Sequence, residues 1–432
     1  MRYLTTRGEA PVVDFRTALF DGLAPDGGLY VPETIEPWSE AELSRLPRRT
    51  LTEIALRVLR PFTRGELDAA TLEAVVVEAL NFPIPLVEIE PGVHALELFH
   101  GPTLAFKDVG ARVMARVMAA MHTADDPLTV LAATSGDTGS AVAHAFFRVP
   151  HTRVVILYPD GRISPTQEAQ LTMFNGDRAN VRAYAVSGSF DDCHRLTREA
   201  FGDADLRRRV RLTSANSVNV GRLLPQMIYY FHAVAQASEV RVFCTPSGNF
   251  GNLTAGLMAK RSRLAIDRFV AATNANDVVP AYLATGVFAP RPSVRTLANA
   301  MDVGSPSNFE RMSWLYDGDL HAMRADISGS RHTDDDVRAT IKEVYERRGY
   351  LLDPHSAIAY RGLEGPARQA GQSGRAGILL ATAHPAKFAE IVEPIIGRPV
   401  EKPEPLARAL ARPRHVIRID ASLDAVRGLL DA

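Results

Sequence analysis

Short apolar runs alternate with stretches of helical period from about residue 95 onward. The runs TVLAAT, RVVILY, RVFCT and GILLA each precede a segment whose apolar residues recur with the period of an α-helix. Short apolar runs predict buried strands, and their alternation with helices predicts parallel sheets with helices on both faces. The pattern therefore indicates an α/β fold.

The chain before this alternation has a different pattern. Its apolar residues predict amphipathic helices in LSRLPRRTLTEIALRVLRPFT and ELDAATLEAVVVEAL. A chain of 432 residues is also too long for one core, and residues 291–350 are expected to be mainly helical. We predict the following division: an N-terminal lobe of residues 1–92, a large α/β domain of residues 93–112 and 237–395, a small α/β domain of residues 113–236 and a C-terminal extension of residues 396–432.

Composition argues against several classes of protein. The apolar content of 46% and the charged content of 23% are ordinary for a globular chain, and a formal net charge of −1 favours neither nucleic acid nor a membrane as a partner. The two cysteines do not form a C-x-x-C motif, which argues against a disulfide framework or a cysteine zinc site. Without a membrane-spanning run or the apolar core of a secretion signal, we expect a soluble cytoplasmic protein.

Two glycine-rich turns follow predicted strands and precede predicted helices. SGDTG, at residues 135–139, exposes N–H groups beside a helix N-terminus and could bind a carboxylate or phosphate, although the same residues also make good helix caps. SGNFGN, at residues 247–252, could hold a phosphate in the same way or could be only a tight turn. It matches neither the P-loop nor the G-x-G-x-x-G dinucleotide pattern.

The predicted strand GILLA ends in the segment ATAHP. In a parallel sheet, ligands lie outside the carboxyl ends of strands, so Thr382 is placed to meet a ligand. His384 could serve as a base, but a histidine before a proline also fits a structural role. No histidine pair has a metal-binding spacing such as H-E-x-x-H, so the sequence predicts no metal site.

Lys107 follows Leu-Ala-Phe in a chain in which five of the 49 lysine and arginine residues are lysines. Apolar residues from Phe106 onward recur with a helical period, which puts Lys107 in the first turn of a helix. The helix dipole and the apolar neighbours both disfavour the ammonium and lower the pKa of the amine. Such an amine can form a Schiff base with a carbonyl; the structural alternative is a lysine that extends to solvent.

These features together describe a site for pyridoxal 5′-phosphate. The aldehyde of the cofactor would meet Lys107, and its pyridine nitrogen would meet Thr382. Its phosphate would lie at residues 247–252, and the carboxylate of a bound amino acid would lie at residues 135–139. The combination therefore predicts a pyridoxal phosphate enzyme, which none of its parts does alone.

A set of motifs runs in one order from residue 1 to about residue 395. They are YLTTRG, FHGPTLAFKD, TSGDTG, LYPDGRISPTQ, SANSVNVGRLLPQ, PSGNFGN, AATNAND, NAMDVGSPSNFER and TAHPAKF. In this order they resemble the threonine synthase family, in its longer bacterial and fungal type. The resemblance implies a fold-type II pyridoxal phosphate enzyme, similar to tryptophan synthase β, with the cofactor between two parallel-sheet α/β domains and with an added N-terminal lobe.

The resemblance also implies a reaction and the residues that perform it. The enzyme would be a carbon–oxygen lyase that converts O-phospho-L-homoserine and water to L-threonine and phosphate. Lys107 would be the Schiff-base lysine and the catalytic base, Thr382 would contact the pyridine nitrogen, and Asp137 would flank the 3-hydroxyl group. The residues expected to bind the cofactor phosphate are Gly248, Asn249, Phe250, Gly251 and Asn252, and those expected to bind the substrate carboxylate are Thr134, Ser135 and Thr138.

The leaving phosphate of such a substrate needs cations or N–H donors. Arg162 and Arg222 are the candidates, of which the family resemblance favours Arg162, and Asn216 is a weaker candidate. In an arginine-rich chain both arginines could also be ordinary surface charges. The expected partner is the small-molecule substrate alone, and the protein is expected to be a monomer or a homodimer.

Three other functions remain open on this scaffold. An O-phosphohomoserine phospho-lyase that gives 2-oxobutyrate would share every cofactor residue. A serine or threonine dehydratase would not need the second phosphate site around Arg162. A non-catalytic binding protein is disfavoured because Lys107 is intact.

Overall fold

The computed structural model describes residues 1–125, 127–175, 180–237, 239, 241–364 and 377–431. In these residues the strands are β1 (Tyr3–Thr5), β2 (Tyr30–Pro32), β3 (Leu86–Glu90), β4 (Val93–Glu97), β5 (Leu128–Ala133), β6 (Thr152–Pro159), β7 (Val181–Val186), β8 (Arg211–Ser214), β9 (Val242–Pro246), β10 (Arg268–Thr273), β11 (Ile327–Arg331), β12 (Gly377–Ala381) and β13 (Ile417–Ile419). The helices are α1 (Phe15–Asp21), α2 (Glu40–Ser44), α3 (Leu51–Leu59), α4 (Ala69–Ala79), α5 (Lys107–Met121), α6 (Asp137–Phe146), α7 (Pro165–Thr172), α8 (Phe190–Gly202), α9 (Ala204–Arg209), α10 (Val220–Leu223), α11 (Met227–Gln236), α12 (Gly251–Arg261), α13 (Val278–Thr285), α14 (Phe309–Leu315), α15 (Leu320–Asp326), α16 (Asp334–Arg348), α17 (Pro354–Gly362), α18 (Ala389–Ile396), α19 (Glu404–Ala411) and α20 (Leu423–Asp431). None of the helices in this part of the chain is long and apolar enough to cross a membrane.

Two largely parallel sheets form the framework of the described residues. The larger sheet has six strands in the order β11-β10-β9-β12-β4-β3, and only the β3–β4 pair is antiparallel. The smaller sheet has five parallel strands in the order β13-β7-β6-β5-β8. Every residue of β5 and of β12 is buried, as expected for apolar strands with helices on both faces. The predicted α/β fold is confirmed.

The N-terminal residues do not have a core of their own. Trp38 stacks on Phe231 of α11 with their ring centroids 4.4 Å apart, and α4 packs against α5. Buried apolar residues of α1, α3 and α4 belong to the same core as those of α5 and α11. Strand β3 also pairs with β4, so the predicted boundary at residue 92 falls between two paired strands.

The segment predicted as a C-terminal extension completes the smaller sheet. Strand β13 pairs in parallel with β7, and Val426 and Leu430 of α20 are buried in the same apolar cluster as residues of α8. The strand has three residues, and its central Arg418 is exposed, so the sequence carried no apolar run to reveal it.

Candidate active site

Lys107 is held against the end of β12 by a short antiparallel contact. The backbone N–H of Phe106 donates to the carbonyl of Thr382 at 2.9 Å, and the N–H of His384 donates to the carbonyl of Leu104 at 3.1 Å. Leu104 has a φ of 58°, in the left-handed region, which turns the chain into α5. This contact places the lysine at the first residue of α5 beside the strand end that carries Thr382.

The amine of Lys107 has a lowered pKa. Burial disfavours the ammonium and is the main cause of a fall in the pKa of Lys107 to about 8; the charge of Asp137 opposes the fall, and those of Lys387 and Arg222 add to it. The Nζ atom lies 5.6 Å from the centroid of the Phe106 ring. The sequence-based expectation of an easily deprotonated amine agrees with this environment.

The turn at residues 247–252 forms a cradle of N–H donors at the start of α12. Phe250 adopts a left-handed φ of 59° at the N-cap, which points successive N–H groups in one direction. Within the described part of the chain, the backbone N–H groups of residues 248–252 donate no hydrogen bond. Unused donors at a helix N-terminus suit a phosphate, so the turn fits the phosphate group of the cofactor.

Two neighbouring segments fix this turn. The backbone N–H of Ser307 donates to Oδ1 of Asn249 at 2.9 Å, and the side chain of Asn252 accepts from Ser247 Oγ at 2.7 Å. A Cβ at Gly248 would lie 2.9 Å from Cα of Met301, which is too close, so this position requires glycine. The side chains of residues 249 and 252 therefore brace the turn and leave its N–H groups free.

A partly buried carboxylate, Asp302, holds the segment that covers Gly248. Asp302 accepts hydrogen bonds from Thr296 Oγ1 at 2.7 Å and from Asn274 Nδ2 at 2.9 Å. Burial raises the pKa of Asp302 to about 6, although these hydrogen bonds act to lower it. The sequence motifs AATNAND and NAMDVG thus meet in space and position the backbone of Met301 over the turn at residues 247–252.

The turn at residues 135–139 presents a second set of donors. The hydroxyl of Thr134 accepts from the N–H groups of Gly136 at 2.9 Å and of Gly139 at 2.8 Å, so it caps the start of α6. The N–H groups of Ser135 and Thr138 donate no hydrogen bond within the described residues. Capping and anion binding therefore coexist at this turn, which suits a substrate carboxylate.

Asp137, in the same turn, forms a buried ion pair. Its Oδ1 atom lies 2.7 Å from Nζ of Lys387 and accepts from Nε2 of Gln167 at 3.0 Å. Burial alone would raise the pKa of Asp137, but the charges of Lys387 and Lys107 reverse the effect and hold it below its usual range. Asp137 does not line the cavity, although it influences Lys107 electrostatically.

One cavity brings together most of the residues that the sequence predicted for the site. They are Lys107, Thr134, Ser135, Thr138, Asn216, Gly248, Asn249, Phe250, Gly251, Asn252 and Thr382. His355 also lines it, with Nδ1 2.5 Å from Asp353 Oδ2 and with Nε2 accepting from the N–H of Ala300 at 3.3 Å. In the described residues no cluster of His, Cys, Asp or Glu could hold a metal ion.

Arg222, and not Arg162, lies in this cavity. Arg162 is exposed and does not line it, whereas Arg222 is buried and does. Nη1 of Arg222 donates to the carbonyl of Ala215 at 2.6 Å, and its Nε atom has no partner among the described residues. Oδ1 of Asn216 likewise has no hydrogen-bond partner in the part of the chain that the structure describes. Burial, opposed by Asp108, lowers the pKa of Arg222 to about 10, so it remains a cation at neutral pH.

Sequence reasoning missed the role of Lys387. The residue is completely buried in the short helix Pro385–Phe388 after β12, and nothing in the order of the sequence joins it to Asp137. A lysine within the apolar segment ATAHPAKF was the only available signal, because a buried lysine needs a partner.

Comparisons with known proteins give one consistent result. Residues 79–382 match the family described as pyridoxal-phosphate dependent enzyme, residues 2–80 match the threonine synthase N terminus and residues 356–430 match the threonine synthase C-terminal family. The chain is 47% identical to threonine synthase of Haemophilus influenzae over 399 residues, which cover 91% of both chains.

Solved structures agree with these matches. The fold superposes on threonine synthase from Escherichia coli with a TM-score of 0.92 and 40% identity, covering 100% of this chain and 99% of the other. The superposition on PLP-bound threonine synthase from Brucella melitensis has a TM-score of 0.91 and 38% identity, with coverage of 100% and 99%.

Proposed function

Because the chain belongs to the threonine synthase family of pyridoxal-phosphate-dependent enzymes, we propose that it converts O-phospho-L-homoserine and water to L-threonine and phosphate. One observation carries the proposal: a single cavity combines the amine of Lys107, two turns with unused N–H donors and the cation of Arg222. These groups match an amino-acid substrate that carries a phosphate of its own.

Three parts of the cavity are suited to hold the cofactor. Lys107 would bind its aldehyde, the N–H groups of residues 248–252 its phosphate, and the hydroxyl of Thr382 its pyridine nitrogen. A neutral hydroxyl at this nitrogen keeps the ring less electron-withdrawing than a carboxylate would. When bound, the cofactor withdraws electrons from the carbon atoms of an attached amino acid.

The substrate has two anionic ends, and the cavity has groups for both. The N–H groups of Ser135 and Thr138 suit its carboxylate. The buried cation of Arg222, with Asn216 beside it, suits the phosphate that leaves from Cγ. The earlier prediction for Arg162 remains untested, but its exposed position makes Arg222 the better-placed arginine.

Lys107 is suited to move protons on the substrate. With a pKa of about 8, a useful fraction of its amine is neutral at neutral pH and can accept a proton. The amine that holds the cofactor would be released when the substrate takes its place. It would then lie near Cα and Cβ of the substrate. It can return the proton later in the reaction, which general acid–base catalysis requires.

Two related reactions would use the same cofactor residues. A phospho-lyase would release 2-oxobutyrate and ammonia in place of threonine, and a serine or threonine dehydratase would act on a substrate without phosphate. The cation of Arg222 deep in the cavity is an observation against the dehydratase, since that substrate gives it no partner.

Product analysis tests the proposal. Incubation of the holoenzyme with O-phospho-L-homoserine should yield threonine and phosphate in equal amounts, with little 2-oxobutyrate. L-Serine and L-threonine, offered separately, should be turned over poorly. Formation of 2-oxobutyrate and ammonia as the main products would contradict the proposal in favour of the phospho-lyase.

A further inference from the structure

Lys387 is a fully buried lysine that the reaction described above does not use. Its Nζ atom donates to the carbonyl of Thr103 at 2.8 Å and lies 2.7 Å from Oδ1 of Asp137. Both its side chain and that of Asp137 are almost completely excluded from solvent. Burying two charges is costly, so such a pair calls for a physical reason.

Asp137, the second partner of the pair, lies between Ser135 and Thr138, which both line the cavity that contains Lys107. Asp137 begins α6, and its carboxylate contacts Lys387 and Gln167, while its field also acts on Lys107. A lone carboxylate at this depth would hold a proton on any amine nearby, because an opposite charge stabilises the ammonium. Lys387 supplies a positive charge in direct contact with this carboxylate, so the carboxylate does not need the ammonium of Lys107 as its partner.

The other charged groups around Lys107 do not provide this compensation. Arg222 lines the cavity and also disfavours the ammonium of Lys107, but its charge is partly offset by Asp108. His194 lines the cavity with a pKa that burial lowers to about 4, so it is neutral. His355 hydrogen-bonds to Asp353 and to the N–H of Ala300, and neither contact involves the Asp137 carboxylate.

We propose that Lys387 is a positioning residue that neutralises Asp137 and thereby leaves the amine of Lys107 free to lose its proton. The inference rests on the proposed function only in taking Lys107 as the cofactor-binding amine. The inference concerns the protonation of Lys107, so it can be tested without substrate. A purely structural lysine would instead serve to hold the carbonyl of Thr103, and its charge would not affect Lys107.

The main variant is Lys387→Gln, which keeps an N–H donor for the Thr103 carbonyl and removes the charge. Lys387→Arg keeps the charge. Lys260→Met is the matched control. Lys260 also forms an ion pair, with Asp326 at 2.7 Å, but it does not line the cavity. Circular dichroism and the thermal midpoint establish that each variant folds.

The measurement is the pH dependence of Lys107 acetylation in the cofactor-stripped full chain, read by peptide mass spectrometry with acetic anhydride. We expect Lys387→Gln to shift the midpoint for Lys107 upward by about one pH unit or more, because Asp137 then stabilises the ammonium. Lys387→Arg and Lys260→Met should leave it near the wild-type value. In the holoenzyme, the pH dependence of the cofactor absorbance should shift only in Lys387→Gln.

Asp137→Asn provides the second arm. Removing the carboxylate should lower the midpoint for Lys107, and combining it with Lys387→Gln should abolish most of the upward shift, which shows that the two groups act through each other. An unchanged midpoint in folded Lys387→Gln, or in Asp137→Asn if the first variant does not fold, would overturn the proposal. If Lys387→Gln gave the expected upward shift in the Lys107 midpoint but the wild-type enzyme formed no threonine, only the proposed function would be contradicted.

Discussion

At the scale of single residues, the chemistry depends on where an ordinary side chain is placed. Lys107 opens α5 beside the cavity, where burial lowers the pKa of its amine to about 8 and so suits it to act as a nucleophile. Lys387 is fully buried, but there the ammonium is paired with a carboxylate. Two lysines of one chain thus serve different purposes.

Replacement of Lys107 by alanine tests its two proposed roles, as the attachment point of the cofactor and as the catalytic base. We expect the turnover of O-phospho-L-homoserine to fall by at least about a hundredfold, and the visible absorbance of a lysine-bound cofactor to disappear. Lys260→Ala is the control and should retain both. A Lys107→Ala protein that keeps the visible absorbance would disprove the assignment.

Arg222→Met tests the phosphate site. Loss of a charge-assisted hydrogen bond to the substrate should raise KM for O-phospho-L-homoserine by about ten- to a hundredfold, while the cofactor stays bound. Arg162→Met serves as the comparison, because that side chain is exposed. If Arg162→Met raised KM and Arg222→Met did not, the phosphate would bind at the other arginine.

The sequence predicted some of these residues and could not predict others. Lys107, Thr382 and the turn at residues 247–252 were found because each carries a local signal: an isolated lysine, a strand end or a pair of glycines. The family resemblance favoured Arg162, but the sequence could not show that Arg222 is the buried arginine, since burial depends on distant packing. The pairing of Asp137 with Lys387 spans separate elements and leaves no local pattern.

At the scale of elements, the turns between strands and helices carry the site. Both glycine turns follow a buried parallel strand, β5 or β9, and open a helix, α6 or α12. Their N–H groups therefore face the carboxyl edges of the sheets, where ligands bind in such folds. This regularity explains how the order of strands and helices could predict that the two turns lie at one cavity.

Gly248→Ala tests the close packing of the turn at residues 247–252. Its Cβ would lie 2.9 Å from Cα of Met301 and 3.0 Å from the carbonyl oxygen of Ala300, so backbone must move at a cost of about 1–3 kcal/mol. We expect a higher Kd for pyridoxal phosphate, measured by titration of the stripped enzyme. Gly202→Ala, where a Cβ meets nothing within 4 Å, should leave this Kd unchanged. Equal affinities in both variants would contradict the steric argument.

The elements that the sequence missed lack apolar runs. Strand β11 lies in a region expected to be mainly helical, and only one of its five residues is buried. It forms the edge of the larger sheet, where one neighbour supplies its hydrogen bonds. Such a strand is defined by its partner β10 and not by its own hydrophobic pattern.

At the scale of the whole molecule, the chain returns to domains that it has left. Residues 417–419 add β13 to a sheet built from residues 128–214, and β12 enters the larger sheet between β4 and β9. Domain boundaries read along the sequence cannot show such returns, because strand pairing depends on distance in space. This is why the last residues appeared to be an extension.

Leu430→Ala tests the structural role of the C-terminal helix. Leu430 is 3% exposed and packs in the apolar cluster under α8, so the substitution should lower stability by about 2–5 kcal/mol and reduce the thermal midpoint. Val287→Ala is the control, since Val287 is 65% exposed. A midpoint for Leu430→Ala equal to that of the control would mean that α20 does not support the smaller sheet.

The most direct test of the central claim is to follow oxygen atoms through the reaction. With O-phospho-L-homoserine in water enriched in heavy oxygen, the holoenzyme should form threonine with one heavy oxygen in its hydroxyl group. The phosphate released should carry none, because the bond between Cγ and oxygen breaks and water adds at Cβ. Unlabelled threonine, labelled phosphate or 2-oxobutyrate in place of threonine would contradict the account.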